Sequence, residues 1–152
     1  MAELTAGTKA PAFKGQNQNG ETISLDDFAG KNVVLYFYPK DDTPGCTKEA
    51  CGFRDDLRDI ETGNAVVIGV SPDDVDSHRK FADKFDLPFH LLADVDKETV
   101  NAYGMWVEKS MYGKKYMGVQ RATFVIGPDG NIKAVFPKVK PDGHSKEILA
   151  AL

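Results

Sequence analysis

The sequence predicts an α/β fold in which helices flank a mixed central sheet in three layers. Three features lead to it. Residues 32–39 (NVVLYFYP) and 64–74 (NAVVIGVSPDD) are nearly continuous apolar runs, the pattern of strands buried on both faces of a parallel sheet. The segment between them has the length and pattern of a crossover helix, so residues 32–70 read as a βαβ unit. Residues 121–136 (RATFVIGPDGNIKAVF) set two β-rich runs around Gly-Pro-Asp-Gly, which adds an antiparallel hairpin to the parallel strands.

The remaining elements follow along the chain. Asn19-Gly20, with Thr22 and Ile23 behind it, signals a two-residue turn and an N-terminal β-hairpin ahead of the βαβ unit. In DDVDSHRKFADKF, residues 73–85, Val75, His78, Phe81, Ala82 and Phe85 recur at helical spacing. Residues 87–94 (LPFHLLAD) are short and apolar, a further strand, and residues 97–104 make a short helix closed by Gly104. HSKEILAAL ends the chain as a helix, while MWVEKSMYGKKYM, residues 105–117, is read as core packing and hairpin surface rather than a substrate pocket. No repeat, linker or boundary divides residues 1–152, which are expected to form one domain.

Composition narrows the function. The apolar fraction of 41% allows a sizeable core, and the net charge of −4 speaks against nucleic acid or anionic membranes as partners. No apolar run approaches the ~20 residues that span a bilayer, and the opening AELTAGTKAPAF has no secretory pattern. A cytoplasmic protein is expected, or a mature form whose targeting segment has been removed, and in a reducing cytosol two close cysteines are more often catalytic or metal-binding than a structural staple.

Both cysteines, Cys46 and Cys51, lie in one predicted helix over 44–62. Thr43 stands at the N-cap, Pro44 at the first helical position and Cys46 at the third. A sulfur there lies near unpaired N–H groups and the positive end of the helix dipole, which favour thiolate over thiol. At about 100° per residue, Ala50, Phe53, Leu57 and Ile60 fall within about 40° of Cys46, so Cys46 sits on the inward stripe. Cys51 falls about 140° away, on the flank of Thr47, Arg54 and Arg58. The two Cα atoms of a regular helix would be ~8.6 Å apart at that separation, beyond the ~7 Å a disulfide tolerates. The pair therefore cannot bond while the helix stays wound.

Plain core burial of Cys46 remains open at this point, as does metal binding, although Cys46 and Cys51 with His78, His90 and His144 match no zinc spacing. Each histidine reads as an ordinary surface or boundary residue, and RDDLRD at 54–59 as a solvated helix face.

FYPKDDTPGCTKEAC resembles the active-site motif of the peroxiredoxins, and the second cysteine five positions on resembles the peroxiredoxin Q, or bacterioferritin comigratory protein, subfamily. SLDDFAGKNVVLYFYPKDDTPGC, ACGFRDDL, VIGVSPDD and YGMWVEKSMYGKKYMGVQRATFVIGPDGNI extend the likeness over nearly the whole chain. The resemblance implies a thioredoxin-like fold with an N-terminal extension. It implies Cys46 as the peroxidatic cysteine, Cys51 as the resolving one and Pro39 as the rigid shield of the pocket. It also implies Thr43 as the hydroxyl facing thiolate and peroxide, and Arg121 as an arginine from a distant strand. The activity implied is reduction of hydrogen peroxide and organic hydroperoxides by a monomer, recycled by thioredoxin or a glutaredoxin-like reductant. No cofactor or metal is implied.

Those roles fit the chemistry. Peroxide reduction needs a populated thiolate and donors for the charge that develops on the leaving oxygen, and an arginine supplies both charge and a fork of donors. Gly45 and Gly52 weaken the helix by up to ~1 kcal/mol each, which lowers the cost of opening it, so replacing both by Ala is expected to slow disulfide formation alone. Arg54 and Arg58 are placed to stabilise a Cys51 thiolate. Two rival readings stand beside this one: a thiol–disulfide oxidoreductase, disfavoured by the spacing, and a non-catalytic binding module, disfavoured by the set Pro39, Thr43, Cys46 and Arg121.

Overall fold

A computed structural model describes residues 4–152; Met1–Glu3 of the opening stretch lie outside the described residues. The chain runs β1 (Lys14–Gln16), β2 (Thr22–Ser24), a 3-10 turn (Leu25–Phe28), β3 (Asn32–Phe37), α1 (Pro44–Thr62), β4 (Ala65–Ser71), α2 (Val75–Phe85) and β5 (His90–Ala93). It continues through α3 (Glu98–Ala102), β6 (Trp106–Met111), β7 (Lys114–Val119), β8 (Ala122–Ile126), β9 (Ile132–Phe136) and α4 (His144–Ala151). One sheet has the order β2-β1-β5-β4-β3-β8-β9. Within it β3, β4 and β5 are parallel, and β8 is antiparallel to β3. This is the mixed sheet the sequence predicts, with the N-terminal hairpin at one edge and the β8–β9 hairpin at the other.

Alternation along β3 divides the core. Val33, Leu35 and Phe37 pack with Val100 and Tyr103 on the α3 side. Val34, Tyr36 and Tyr38 pack with Cys46, Ala50, Phe53 and Ile60 of α1, Phe81 of α2 and Ile148 of α4 on the other. Every residue of β3 is buried, as its unbroken apolar run requires.

Three boundaries differ from expectation. The first hairpin turns through residues 17–21 rather than two residues, because the buried Asn17 side chain accepts from Asn19 N and Glu21 N and widens the turn. β5 begins only at His90, since Asp86 closes α2 in the left-handed region and Leu87 N still bonds Ala82 O. Between α3 and β8 lies a separate two-stranded hairpin, β6–β7, whose turn residues Tyr112 and Gly113 both have positive φ. Its Met111, Tyr112, Tyr116 and Met117 are exposed, so this stretch is hairpin surface. Among the described residues no helix is long and apolar enough to cross a membrane.

Candidate active site

The parallel strands end at one edge of the sheet, and the chain leaves β3 there through Tyr38 and Pro39, turns through residues 40–42 and starts α1. Thr43 is the N-cap by backbone, at φ −99° and ψ 156°, with Pro44 beginning the helix. Its side chain does not cap, however. The hydroxyl donates to Lys40 O at 2.9 Å instead. α1 spans the predicted residues, with Cys46 facing the core at 1% exposure and Cys51 half-buried on another side. Both thiols are free.

Arg121 arrives from across the sheet. The β3–β8 register ends at the pair Phe37–Ala122, so the next residue, Arg121, stands beside the exit of β3. Its guanidinium donates from Nη2 to Cys46 Sγ at 3.2 Å and from Nη1 to Glu49 Oε1 at 2.7 Å. The fork thus bridges a thiol and a carboxylate one turn apart on α1. Burial disfavours charge on Arg121, but Glu49 and Cys46 outweigh it and hold the guanidinium above its ordinary range. Pro39 and Thr43 are both half-buried on the stretch that leads from β3 into α1. Lys109 of β6 borders the same region; burial and then the like charge of Arg121 lower its pKa, while Cys46 raises it.

Sequence reading missed Glu49. The signal was available: it falls about 60° from Cys46, a carboxylate within an apolar stripe. In the fold it is buried, and its Oε2 has no partner among the described residues. Burial raises its pKa from 4.5 to about 7, against the attraction and hydrogen bond of Arg121, which lower it. A carboxyl raised in the folded state holds more protons there than in the unfolded chain between those two values. Its contribution to stability is therefore full below pH 4.5 and declines as pH rises to about 7. Denaturant unfolding across that window is expected to lose ~3 kcal/mol from this group, and Glu49→Gln to lose that component of the slope.

Other expectations change. His78 and His144 are fully buried, not surface or boundary residues, while His90 is half-buried. His78 shares the inward face of α2 with Phe81, and His144 is held by Thr123 Oγ1 at 2.7 Å and edge-on to Phe53 and Phe136. Asp56 is not simply solvated: Lys146 Nζ and then Ser145 Oγ of α4, donating to it at 2.8 and 2.6 Å, lower its pKa. Of the two arginines near Cys51, Arg54 bonds Asp55 and Phe85 O, and its charge is favoured first by the Asp55 hydrogen bond and, after the opposing effect of burial, by Cys51; Arg58 is exposed. The two helix glycines also differ in kind. A Cβ on Gly45 would lie 3.2 Å from Arg121 Nη2, so Ala there presses on the guanidinium and perturbs more than helix opening. A Cβ on Gly52 would meet only the Ser145 side chain, its Oγ at 3.4 Å and its Cβ at 3.9 Å.

Comparison with known proteins gives consistent matches. The AhpC/TSA family model matches residues 6–135. A Coxiella burnetii relative carrying the bcp name is 52% identical over 149 residues, 98% of this chain and 99% of its own. Bacillus subtilis peroxiredoxin Bcp is 47% identical, covering 98% of this chain and 95% of that one. Among solved structures, Xanthomonas campestris bacterioferritin comigratory protein, described for its alkyl peroxide reduction activity, superposes with a TM-score of 0.89 at 36% identity, covering 96% of each chain.

Proposed function

The chain belongs to the AhpC/TSA family and is a peroxiredoxin, a peroxidase that acts on peroxides with a thiol reductant, and from that premise we propose that Cys46 is its peroxidatic cysteine and Cys51 its resolving one. The observation that carries this reading is the Arg121 guanidinium, 3.2 Å from a buried sulfur in the first turn of α1. The helix start and the arginine set N–H donors and positive charge beside the Cys46 sulfur, which reacts as its thiolate. That thiolate attacks one oxygen of the hydroperoxide. The S–O bond forms, the O–O bond breaks, and the other oxygen leaves as hydroxide or alkoxide, which takes up a proton. Arg121 is placed to meet the charge on that leaving oxygen. Hydrogen peroxide and organic hydroperoxides both fit, the latter in keeping with the alkyl peroxide activity described for the Xanthomonas campestris relative.

The product is a Cys46 sulfenic acid. The Cys51 thiol displaces its hydroxyl as water and forms the disulfide. In the wound helix the Cα atoms stand ~8.6 Å apart, so the first turns must open. A dithiol then reduces the disulfide, and thioredoxin supplies it in this reading. The protein is taken to work as a cytoplasmic monomer.

Mixing reduced protein with one equivalent of hydrogen peroxide, quenching with acid and weighing the products tests the scheme. Cys46 is expected to gain one oxygen, then to lose it as a Cys46–Cys51 cross-link, which thioredoxin, its reductase and NADPH reverse. Gly52→Ala is expected to slow only the cross-linking, up to about fivefold, because the helix it must open is steadier by ~1 kcal/mol. A disulfide that fails to form in wild type would sink the role of Cys51.

A further inference from the structure

One buried polar cluster beside the active-site loop takes no part in the chemistry above. Its centre is Asp41, two residues before Thr43 and 7% exposed. Tyr38 donates its hydroxyl to Oδ1 at 2.6 Å. Ser77 Oγ donates to Oδ2 at 2.8 Å, and His78 Nδ1 lies 2.6 Å from that same oxygen. The main-chain N of Asp41 donates to Asp73 Oδ2 at 2.8 Å, and Ser71 Oγ donates to the same atom at 2.7 Å. On its far side, His78 Nε2 is 3.0 Å from Leu92 O. The Leu92 carbonyl can only accept, so His78 Nε2 is the donor on that side.

Asp41, Asp73 and His78 bring three potential ligand atoms within 4.8 Å of one another, as a cation site would. Each of those groups is already engaged by a hydrogen bond inside the protein. The cluster reads as a tether, not a metal centre. Burying such a pair is weak evidence for a gain in stability. What the cluster does achieve is geometric. It fixes one short loop to the end of β4, to α2 and to β5 at once.

That loop sets the Thr43 hydroxyl. Thr43 Oγ1 donates to the carbonyl of Lys40, the residue adjoining Asp41. With its proton directed there, the oxygen keeps its lone pairs free to accept from a hydroperoxide O–H. The intervening Asp42 sits in the left-handed region at φ 56° and is held by Lys84 Nζ at 2.8 Å. A non-glycine residue persists in that conformation when its surroundings over-determine it.

We propose that the buried Asp41–His78 pair, with Tyr38, is a positioning unit of the peroxidase: it clamps residues 38–42 to α2 and so aims the Thr43 hydroxyl at the bound hydroperoxide. This rests on the reading of Cys46 and Thr43 given above. The unit makes no hydrogen bond to either sulfur among the described residues and acts through the Lys40 carbonyl. It also leaves a fixed abutment ahead of α1 when the turns around Cys46 and Cys51 open.

The test compares Tyr38→Phe and His78→Gln with wild type in two reactions of the reduced protein, oxidation of Cys46 by hydrogen peroxide and alkylation of Cys46 by iodoacetamide. Alkylation needs the thiolate but not an aimed Thr43. His78→Gln is expected to lower the peroxide rate constant about tenfold, and Tyr38→Phe about threefold, since small misplacements of an orienting group cost rate steeply; alkylation is expected to stay within about twofold. Introducing Tyr38→Phe into Thr43→Val is expected to change the peroxide rate by less than about twofold, because the group it aims is already gone. A peroxide rate that stays within about twofold in Tyr38→Phe, an equal loss in both reactions, or a full threefold loss in the Thr43→Val background each overturns the proposal. If His78→Gln does not fold, Tyr38→Phe decides alone, since it removes a single hydroxyl. A wild-type Cys46 that takes up no oxygen overturns the functional reading itself, and the positioning role with it. Oxygen uptake with unchanged variants removes only the positioning role.

Discussion

Cys46→Ser is expected to reduce no peroxide in the thioredoxin-coupled NADPH assay, and Cys51→Ser to complete one oxidation and then stop. The difference follows from what each sulfur is asked to do. A thiol becomes a strong nucleophile once it loses its proton, whereas a serine hydroxyl in the same place attacks nothing without a base. Among the described residues the hydrogen bond to its sulfur comes from Arg121, a donor. Cys51 enters only after the O–O bond has broken. Without it the Cys46 sulfenic acid should accumulate in a one-to-one ratio with enzyme, visible by mass and by reaction with a dione trap. Turnover by Cys46→Ser, or sustained turnover by Cys51→Ser with thioredoxin as the only reductant, contradicts the scheme.

Arg121→Lys is expected to lower the rate constant for Cys46 oxidation by about 10² to 10³, measured by rapid mixing under conditions where the variant is folded. Lysine keeps the charge but loses the fork, and the fork here does two things at once. One arm meets the sulfur, and the other holds Glu49 Oε1 at 2.7 Å. A point charge on a flexible stem can serve one of these sites and not both. Arg121→Leu goes further and leaves Glu49 buried without its partner. Breaking such a pair costs on the order of 3–5 kcal/mol, less what Glu49 recovers by taking a proton. The double variant Arg121→Leu with Glu49→Leu removes the stranded carboxylate, so it is expected to regain stability but not peroxide reduction. Recovery of both together would mean that Arg121 serves the fold rather than the reaction.

The local part of this site is readable along the chain. Thr43-Pro44 marks a helix start, the spacing of Ala50, Phe53 and Ile60 puts Cys46 inward, and the five-residue step turns Cys51 away; α1 covers the predicted residues. The likeness of the motif to the peroxiredoxins supplied Arg121, which no local pattern distinguishes from Arg54, Arg58 or Arg79. Some local readings failed. Thr43 has the residue type of a capping side chain, yet its hydroxyl turns back to Lys40. His78 follows the apolar spacing of α2 and is buried with it, but a histidine at helical spacing has no signature that names its partners, Asp41 and Leu92 O. Gly45 reads as a weak point in a helix and is also the space that Arg121 occupies.

By itself the sequence determined the elements, the inward aim of one sulfur and the mismatch between the two, because helix periodicity and end chemistry act over a few neighbouring residues. Only the tertiary structure decided which charges meet. Arg121 reaches Cys46 across 75 residues of chain because the β3–β8 register ends beside the exit of β3. The raised pKa of Glu49 and the burial of the Asp41–His78 pair come from layers packed over them. Desolvation and long-range register depend on the whole assembled sheet, and no window of sequence contains them.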